Sequence, residues 1–155
     1  MSKPLFYCSK FELKAGNFLD ARKSDLLGKN VVYACRNKGA AATFLVHLGS
    51  HVQLVEAKKW TGKDWKGDSK WMMIEQYIDG FKVFHEAHGW LYQLKDDGFK
   101  TDPLIASKAY DVFSTERAEI VAVEEIKDVR AFMEKNGVVF VTYDEKIKAL
   151  SAALL

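Results

Sequence analysis

The hydrophobic and polar positions of this chain follow a period of two in most of its apolar stretches. These stretches are short, rich in β-branched and aromatic residues, and bounded by Gly, Asp, Asn and Lys, as is typical of β-strands. Strands are predicted at 4–9, 31–35, 51–57, 71–78, 81–85, 89–94, 110–114, 119–126 and 138–143. The dipeptide at 79–80 is Asp-Gly, a turn signal, so 81–85 is expected to pair with 71–78.

Three segments follow the helical period instead. Asn37 is placed to cap a helix that Gly49 is placed to end. A short amphipathic helix is predicted over 128–136 and a closing helix over 144–155. The stretch 10–30 is polar, with only scattered apolar anchors, and no regular element is predicted there.

The order of these elements determines the predicted fold class. Strands and helices do not alternate regularly, which excludes a doubly wound parallel sheet. No repeat or linker divides the chain. We therefore expect one α+β domain over residues 1–155, with a mostly antiparallel or mixed, split sheet and about three peripheral helices.

Composition restricts the class of protein and its expected cellular location, but it does not indicate a function. At 48% hydrophobic, 28% charged and 13% aromatic, the chain is typical of a globular protein. No run approaches the roughly 18 apolar residues of a membrane span, and the first eight residues lack the apolar stretch of a signal peptide. Cys8 and Cys35 both lie in apolar strand-like runs, which favours two buried, reduced thiols. The expected location is therefore the cytoplasm, with no membrane partner.

The charge is unevenly distributed along the chain. Residues 1–70 contain 13 Lys or Arg and 6 Asp or Glu, a net charge of +7, whereas residues 71–155 have a net charge of −5. If the fold keeps the two halves apart, a basic face will suit an anionic ligand. A fold that interleaves the halves will not have such a face.

Residues 58–71 form the most unusual stretch, with five lysines and three tryptophans. Lysines contact phosphates and indole faces stack on bases, so this composition suits a polyanion such as single-stranded nucleic acid. A solvated loop between two strands, with at least Trp71 packed inward, is the alternative. The candidate polyanion-binding residues are Lys58, Lys59, Trp60, Lys63, Trp65 and Lys66.

Two motifs that bind metal or phosphate are matched only in part. His85 and His88 are three residues apart with a glutamate between them, whereas the helical zinc motif needs a spacing of four. We therefore predict no metal site. A phosphate-binding loop is also excluded, because Asp68 stands where that motif requires a lysine.

Several fragments resemble small bacterial and phage proteins that have an ADP-ribosyltransferase-like fold. Leu5–Ser9 resembles their first-strand L-Y-H-G-S element, and 31–35 followed by an Ala-rich helix resembles their V-Y-A-T strand and helix. The segments 89–94 and 114–116, the latter before a valine-rich strand, match later elements in the right order. The similarity covers about residues 5–126.

This resemblance implies a split, mostly antiparallel sheet around a cleft that binds NAD. Tyr7 occupies the position of the family's ribose-binding His, and Tyr33 matches its second-strand aromatic residue. Glu116 would be the catalytic acid, with Asp111 as a weaker candidate. Loss of the His puts catalysis in doubt, although a tyrosine hydroxyl is also able to bind a ribose.

Two hypotheses of different classes follow. The first is an ADP-ribosyltransferase-like protein, active or catalytically degenerate, that binds NAD, ADP-ribose or a similar small anionic ligand. Its cleft would be lined by Tyr7, Ser9, Tyr33 and Glu116, with Arg36 or Lys38 near the phosphates. The second is a small non-enzymatic protein that binds nucleic acid or an acidic protein surface through segment 58–71. An interaction protein without a ligand is a third possibility.

Overall fold

A computed structural model of the chain describes residues 4–24, 29–56, 71–101, 112–114 and 117–154. The described strands are β1 Leu5–Ser9, β2 Phe18–Leu19, β3 Arg22–Ser24, β4 Lys29–Ala34, β5 Val52–Glu56, β6 Trp71–Glu75, β7 Gly89–Leu94, β8 Val112–Ser114, β9 Ala118–Ile126 and β10 Val138–Val141. The described helices are α1 Lys38–Ala41, α2 Val129–Lys135 and α3 Tyr143–Leu154, with 3-10 helices at Ala42–Leu45 and Gly80–Phe84. The α+β fold class is confirmed.

The strands form three sheets. Strands β1, β7, β9 and β2 make an antiparallel sheet in that order, and β3, β4 and β8 make a second antiparallel sheet. The third sheet is mixed, because β6 pairs antiparallel with β5 and parallel with β10. Phe6 and Cys35 exchange two backbone hydrogen bonds, of 2.8 and 2.9 Å. This bridge joins β1 to the end of β4 and so connects the first two sheets.

Strand β4 is central, as its apolar sequence predicted. It lies between β3 and β8. Val32 and Ala34 are buried in one core cluster, and Cys35, which follows the strand, is fully buried in the other. β-Branched and aromatic residues suit such a position, because both faces of a covered strand are in contact with core. Trp71, at the start of β6, is also buried as expected.

Helix α1 begins after Asn37, as predicted, but ends well before Gly49, which was the predicted end. The Asn37 side chain accepts a hydrogen bond of 2.9 Å from the Ala40 backbone N–H, which confirms the predicted cap. The chain tightens into a 3-10 helix at Ala42–Leu45 and becomes extended at Val46. Gly49 has the expected positive φ of 54°, but it lies beyond the end of the helical segment.

The strand predicted at 81–85 is wrong, because Gly80–Phe84 is a 3-10 helix. The buried residues Phe81 and Phe84 are three apart, which matches the 3-10 period rather than the strand period. Both rings pack against Phe140, with centroid distances of 5.1 and 5.2 Å. The Phe81 backbone N–H donates to the buried Glu75 carboxylate rather than to a partner strand.

Candidate binding cleft

A cleft of about 620 Å³ opens between β1, the start of the β3–β4 pair and the segment that follows β1. Tyr7 and Ser9 line it from β1, and Val31 and Tyr33 line it from β4. Phe44, in the first 3-10 helix, completes that side. Because side chains alternate along a strand, Tyr7 and Ser9 face the cleft while Cys8 between them is buried.

Three of the residues proposed from the sequence therefore lie in one cleft: Tyr7, Ser9 and Tyr33. They come from two strands that are distant in the sequence, and the Phe6–Cys35 bridge holds these strands together. The volume lies within the range of about 300–1,000 Å³ that is usual for small-molecule sites. The arrangement is thus large enough for a nucleotide-sized ligand.

Tyr7 forms part of an aromatic surface inside the cleft. Its ring is half-buried and lies 4.6 Å from the Phe44 ring, centroid to centroid, at an angle of 35°. Burial raises the pKa of the Tyr7 hydroxyl, and the guanidinium of Arg22 opposes that rise. The phenol is therefore neutral at physiological pH and is able to donate or accept a hydrogen bond.

Ser9 is engaged in a hydrogen-bond network at the edge of the cleft. Its hydroxyl oxygen accepts from the Phe11 backbone N–H at 3.1 Å, and its side chain partly offsets the rise in the pKa of the Tyr92 hydroxyl. The Tyr92 hydroxyl in turn donates to the Phe11 carbonyl. Burial raises the pKa of Tyr92, so this donor stays protonated. Ser9 therefore fixes the rim of the cleft, and no described base activates it as a nucleophile.

Two charged residues in the cleft were not identified from the sequence. Arg22, at the start of β3, and Asp20, just before it, both line the cleft and are exposed. A guanidinium binds phosphate oxygens, and a carboxylate accepts hydrogen bonds from ribose hydroxyls. Both lie in the polar stretch 10–30, where no local motif marks them. Pairing of β3 with β4 is what brings Arg22 to the site.

The cations expected near the phosphates lie elsewhere. Arg36 and Lys38 are not among the residues that line the cleft. Arg36 is exposed in the bend before α1. The Lys38 ammonium lies 3.7 Å from a Glu124 carboxylate oxygen and 5.6 Å from the centroid of the Phe6 ring. Their contact with phosphate stays a prediction, and Arg22 is the cation that this cleft contains among the described residues.

The other candidate residues divide into two groups. The first group lies outside the described residues. It comprises the two candidate acids, Glu116 and Asp111, and the polyanion-binding candidates Lys58, Lys59, Trp60, Lys63, Trp65 and Lys66. His85 and His88 are described and exposed, and His88 Nδ1 lies 2.9 Å from the Glu86 carbonyl oxygen.

Within the described ranges, no group of three or more His, Cys, Asp or Glu side chains is arranged to hold a metal ion. No helix in those ranges is long and apolar enough to cross a membrane.

Comparison of the chain with protein families, with curated proteins and with solved structures gave no match. The function must therefore be argued from the cleft itself. The cleft offers an aromatic surface, a guanidinium, a carboxylate and hydroxyl groups within one volume.

Proposed function

We propose that this protein binds a nucleotide of the NAD or ADP-ribose class in the cleft between β1 and β4. The observation that supports the proposal is that Tyr7, Ser9 and Tyr33 line one cleft of suitable size. The resemblance to ADP-ribosyltransferase-like proteins named these residues independently of any structure. A nucleotide combines an aromatic base, a ribose and an anionic phosphate, and the cleft has a complementary group for each.

The residues of the cleft have separate roles in this proposal. The tilted pair of Tyr7 and Phe44 gives the inner wall of the cleft an apolar ring surface. Arg22 pairs with phosphate oxygens, and Asp20 accepts hydrogen bonds from the ribose hydroxyls. One cation beside one carboxylate favours a ligand of low net charge over a triphosphate.

The proposal is restricted to binding. Transfer of an ADP-ribosyl group would require the acid at Glu116, a residue outside those that the structure describes. The family's first-strand His is Tyr7 here, and its neutral phenol supplies a hydrogen bond but no positive charge. An NAD molecule would supply the group to be transferred, while Tyr7, Asp20 and Arg22 would orient it.

Calorimetric titration with NAD and with ADP-ribose tests the proposal. We expect saturable binding to the wild-type chain and a loss of about tenfold or more in affinity in Arg22→Gln, since a charge-assisted hydrogen bond is removed. Arg36→Gln is the competing variant, because it removes an exposed guanidinium that does not line the cleft. Absence of saturable binding would refute the proposed function. Weakening by Arg36→Gln alone would move the phosphate site away from Arg22.

A further inference from the structure

We infer that Phe11 is the stacking surface for the base of the bound nucleotide and that the Tyr92 hydroxyl positions it. This inference rests on the proposed function and concerns the same cleft. Phe11 lies in the polar stretch 10–30, for which only scattered apolar anchors were expected. In the structure it lines the cleft, yet 76% of its surface is exposed, more than for any other large hydrophobic side chain in the described ranges.

Both backbone polar groups of Phe11, its N–H and its carbonyl, are hydrogen-bonded to other residues. The Phe11 N–H donates to the Ser9 hydroxyl oxygen at 3.1 Å. The Phe11 carbonyl accepts from the hydroxyl of Tyr92, whose side chain is fully buried in β7. An exposed phenyl ring is thus presented on a backbone that is tied to the core. A merely solvated loop residue needs no such support.

The rest of the cleft rim, which runs from Phe11 to Leu19, is also hydrogen-bonded to β9. The Gly16 N–H donates to the Ile120 carbonyl at 2.8 Å, and the Ile120 N–H donates to the Asn17 carbonyl at 2.8 Å. Phe18 and Leu19 then pair with β9 as strand β2. The segment from Phe11 to Leu19 is therefore anchored at both ends, so little conformational entropy is lost when a ligand binds against it.

The chemistry of this rim indicates a planar heteroaromatic group. Phe11 and the 40%-exposed Phe18 both line the cleft, and the Arg117 guanidinium lies 4.1 Å from the centroid of the Phe18 ring. A base gains roughly 1–3 kcal/mol from stacking on an aromatic side chain, whichever base it is. Arg22 in the same cleft supplies the charge for the phosphate of that nucleotide. The base therefore lies at the exposed rim against Phe11.

A pair of ligands separates base recognition from phosphate recognition. Adenosine 5′-monophosphate contains the base, whereas ribose 5-phosphate contains only the sugar and the phosphate. Phe11→Leu keeps an apolar side chain but removes the ring, and Phe11→Trp restores a ring. Tyr92→Phe keeps the buried ring but removes the hydroxyl that binds the Phe11 carbonyl. Tyr77→Leu is the control, because it removes an exposed ring that does not line the cleft.

Calorimetry of these four variants with both ligands is the test. We expect Phe11→Leu to weaken adenosine monophosphate binding by about 5- to 100-fold and to leave ribose 5-phosphate binding unchanged. Phe11→Trp and Tyr77→Leu should bind like the wild type. Tyr92→Phe should show a smaller loss, again only for the ligand with the base.

Equal affinities of Phe11→Leu and wild type for adenosine monophosphate would overturn the inference while leaving the proposed function intact. Equal weakening of both ligands would also overturn it, since Phe11 would then act through the shape of the cleft. If the wild type binds no nucleotide at all, the proposed function fails and the inference fails with it.

Discussion

Cys8 belongs to the core although both of its neighbours line the cleft. Its neighbours Tyr7 and Ser9 face the cleft, whereas its own side chain is 1% exposed and packs in the main core with Cys35. Burial raises the pKa of the Cys8 thiol far above its usual range, and the carboxylate of Glu124 raises it further. The thiol is therefore protonated in the folded protein over the whole physiological range.

This pKa shift predicts a loss of stability at alkaline pH. A cysteine in an unfolded chain ionises near pH 8.5, while folded Cys8 keeps its proton. Above that pH the unfolded state binds fewer protons than the native state, so the free energy of unfolding falls as pH rises. Urea unfolding at pH 7.0 and 9.5 should show a drop in the wild type that is about 1 kcal/mol larger than in Cys8→Ala. Equal drops in the two proteins would show that the Cys8 thiol ionises in the native state.

Glu75 connects several elements at the end of β6. It is a buried charged residue, 7% exposed, and its two carboxylate oxygens accept separate backbone hydrogen bonds. The Phe81 N–H donates at 3.0 Å from the second 3-10 helix, and the Tyr143 N–H donates at 2.7 Å from the start of α3. One side chain thus satisfies donors at the beginnings of two helical segments.

Replacement of Glu75 should therefore affect both helical segments at once. In Glu75→Gln, the amide NH₂ group faces one of the two N–H donors, which is left without an acceptor. We expect the free energy of unfolding to fall by about 1–3 kcal/mol, measured by urea denaturation at neutral pH. Glu134→Gln is the control, because Glu134 is exposed and its pairing with Arg130 across 3.5 Å contributes under about 1 kcal/mol. If both variants lose the same small amount, the buried carboxylate does not hold these elements together.

At the scale of the whole molecule, the basic and acidic halves of the sequence are interleaved. Each sheet in the described ranges contains strands from both halves: β1 pairs with β7, β2 with β9, β4 with β8 and β5 with β6. The contact between Lys38 and Glu124 crosses the two halves directly. A basic face therefore does not follow from the uneven charge along the chain.

The alternative hypothesis places a polyanion on segment 58–71, and it has a measurable signature. Replacement of both Lys63 and Lys66 by Ala should weaken binding of a single-stranded oligonucleotide and make the negative slope of log affinity against log salt shallower by about 1.4. Lys82→Ala with Lys95→Ala is the matched control, since both lysines are exposed and lie outside that segment. Fluorescence anisotropy over a salt series provides the measurement. An unchanged affinity in the Lys63 and Lys66 variant would reject this surface as a binding site.

Local sequence determined the features that depend on neighbouring residues. The strand at 31–35 followed from its β-branched and aromatic run, and the cap at Asn37 followed from its hydrogen-bonding side chain. The start of α3 was also readable locally, although we placed it at 144. Thr142 and Glu145 form a capping box, and the spacing T-x-x-E at 142–145 is the sequence signature of that motif.

Only the tertiary structure decided the features that depend on distant residues. The five residues 81–85 are too few to separate a period of two from a period of three. The contacts of Phe81 with Glu75 and Phe140 accompany the 3-10 helix at Gly80–Phe84. Arg22 and Phe11 have no local signal for function. They reach the cleft through the β3–β4 pairing and the Tyr92 hydrogen bond. Contacts of this kind join residues far apart in the chain, and a hydrophobic pattern does not encode which of them will meet.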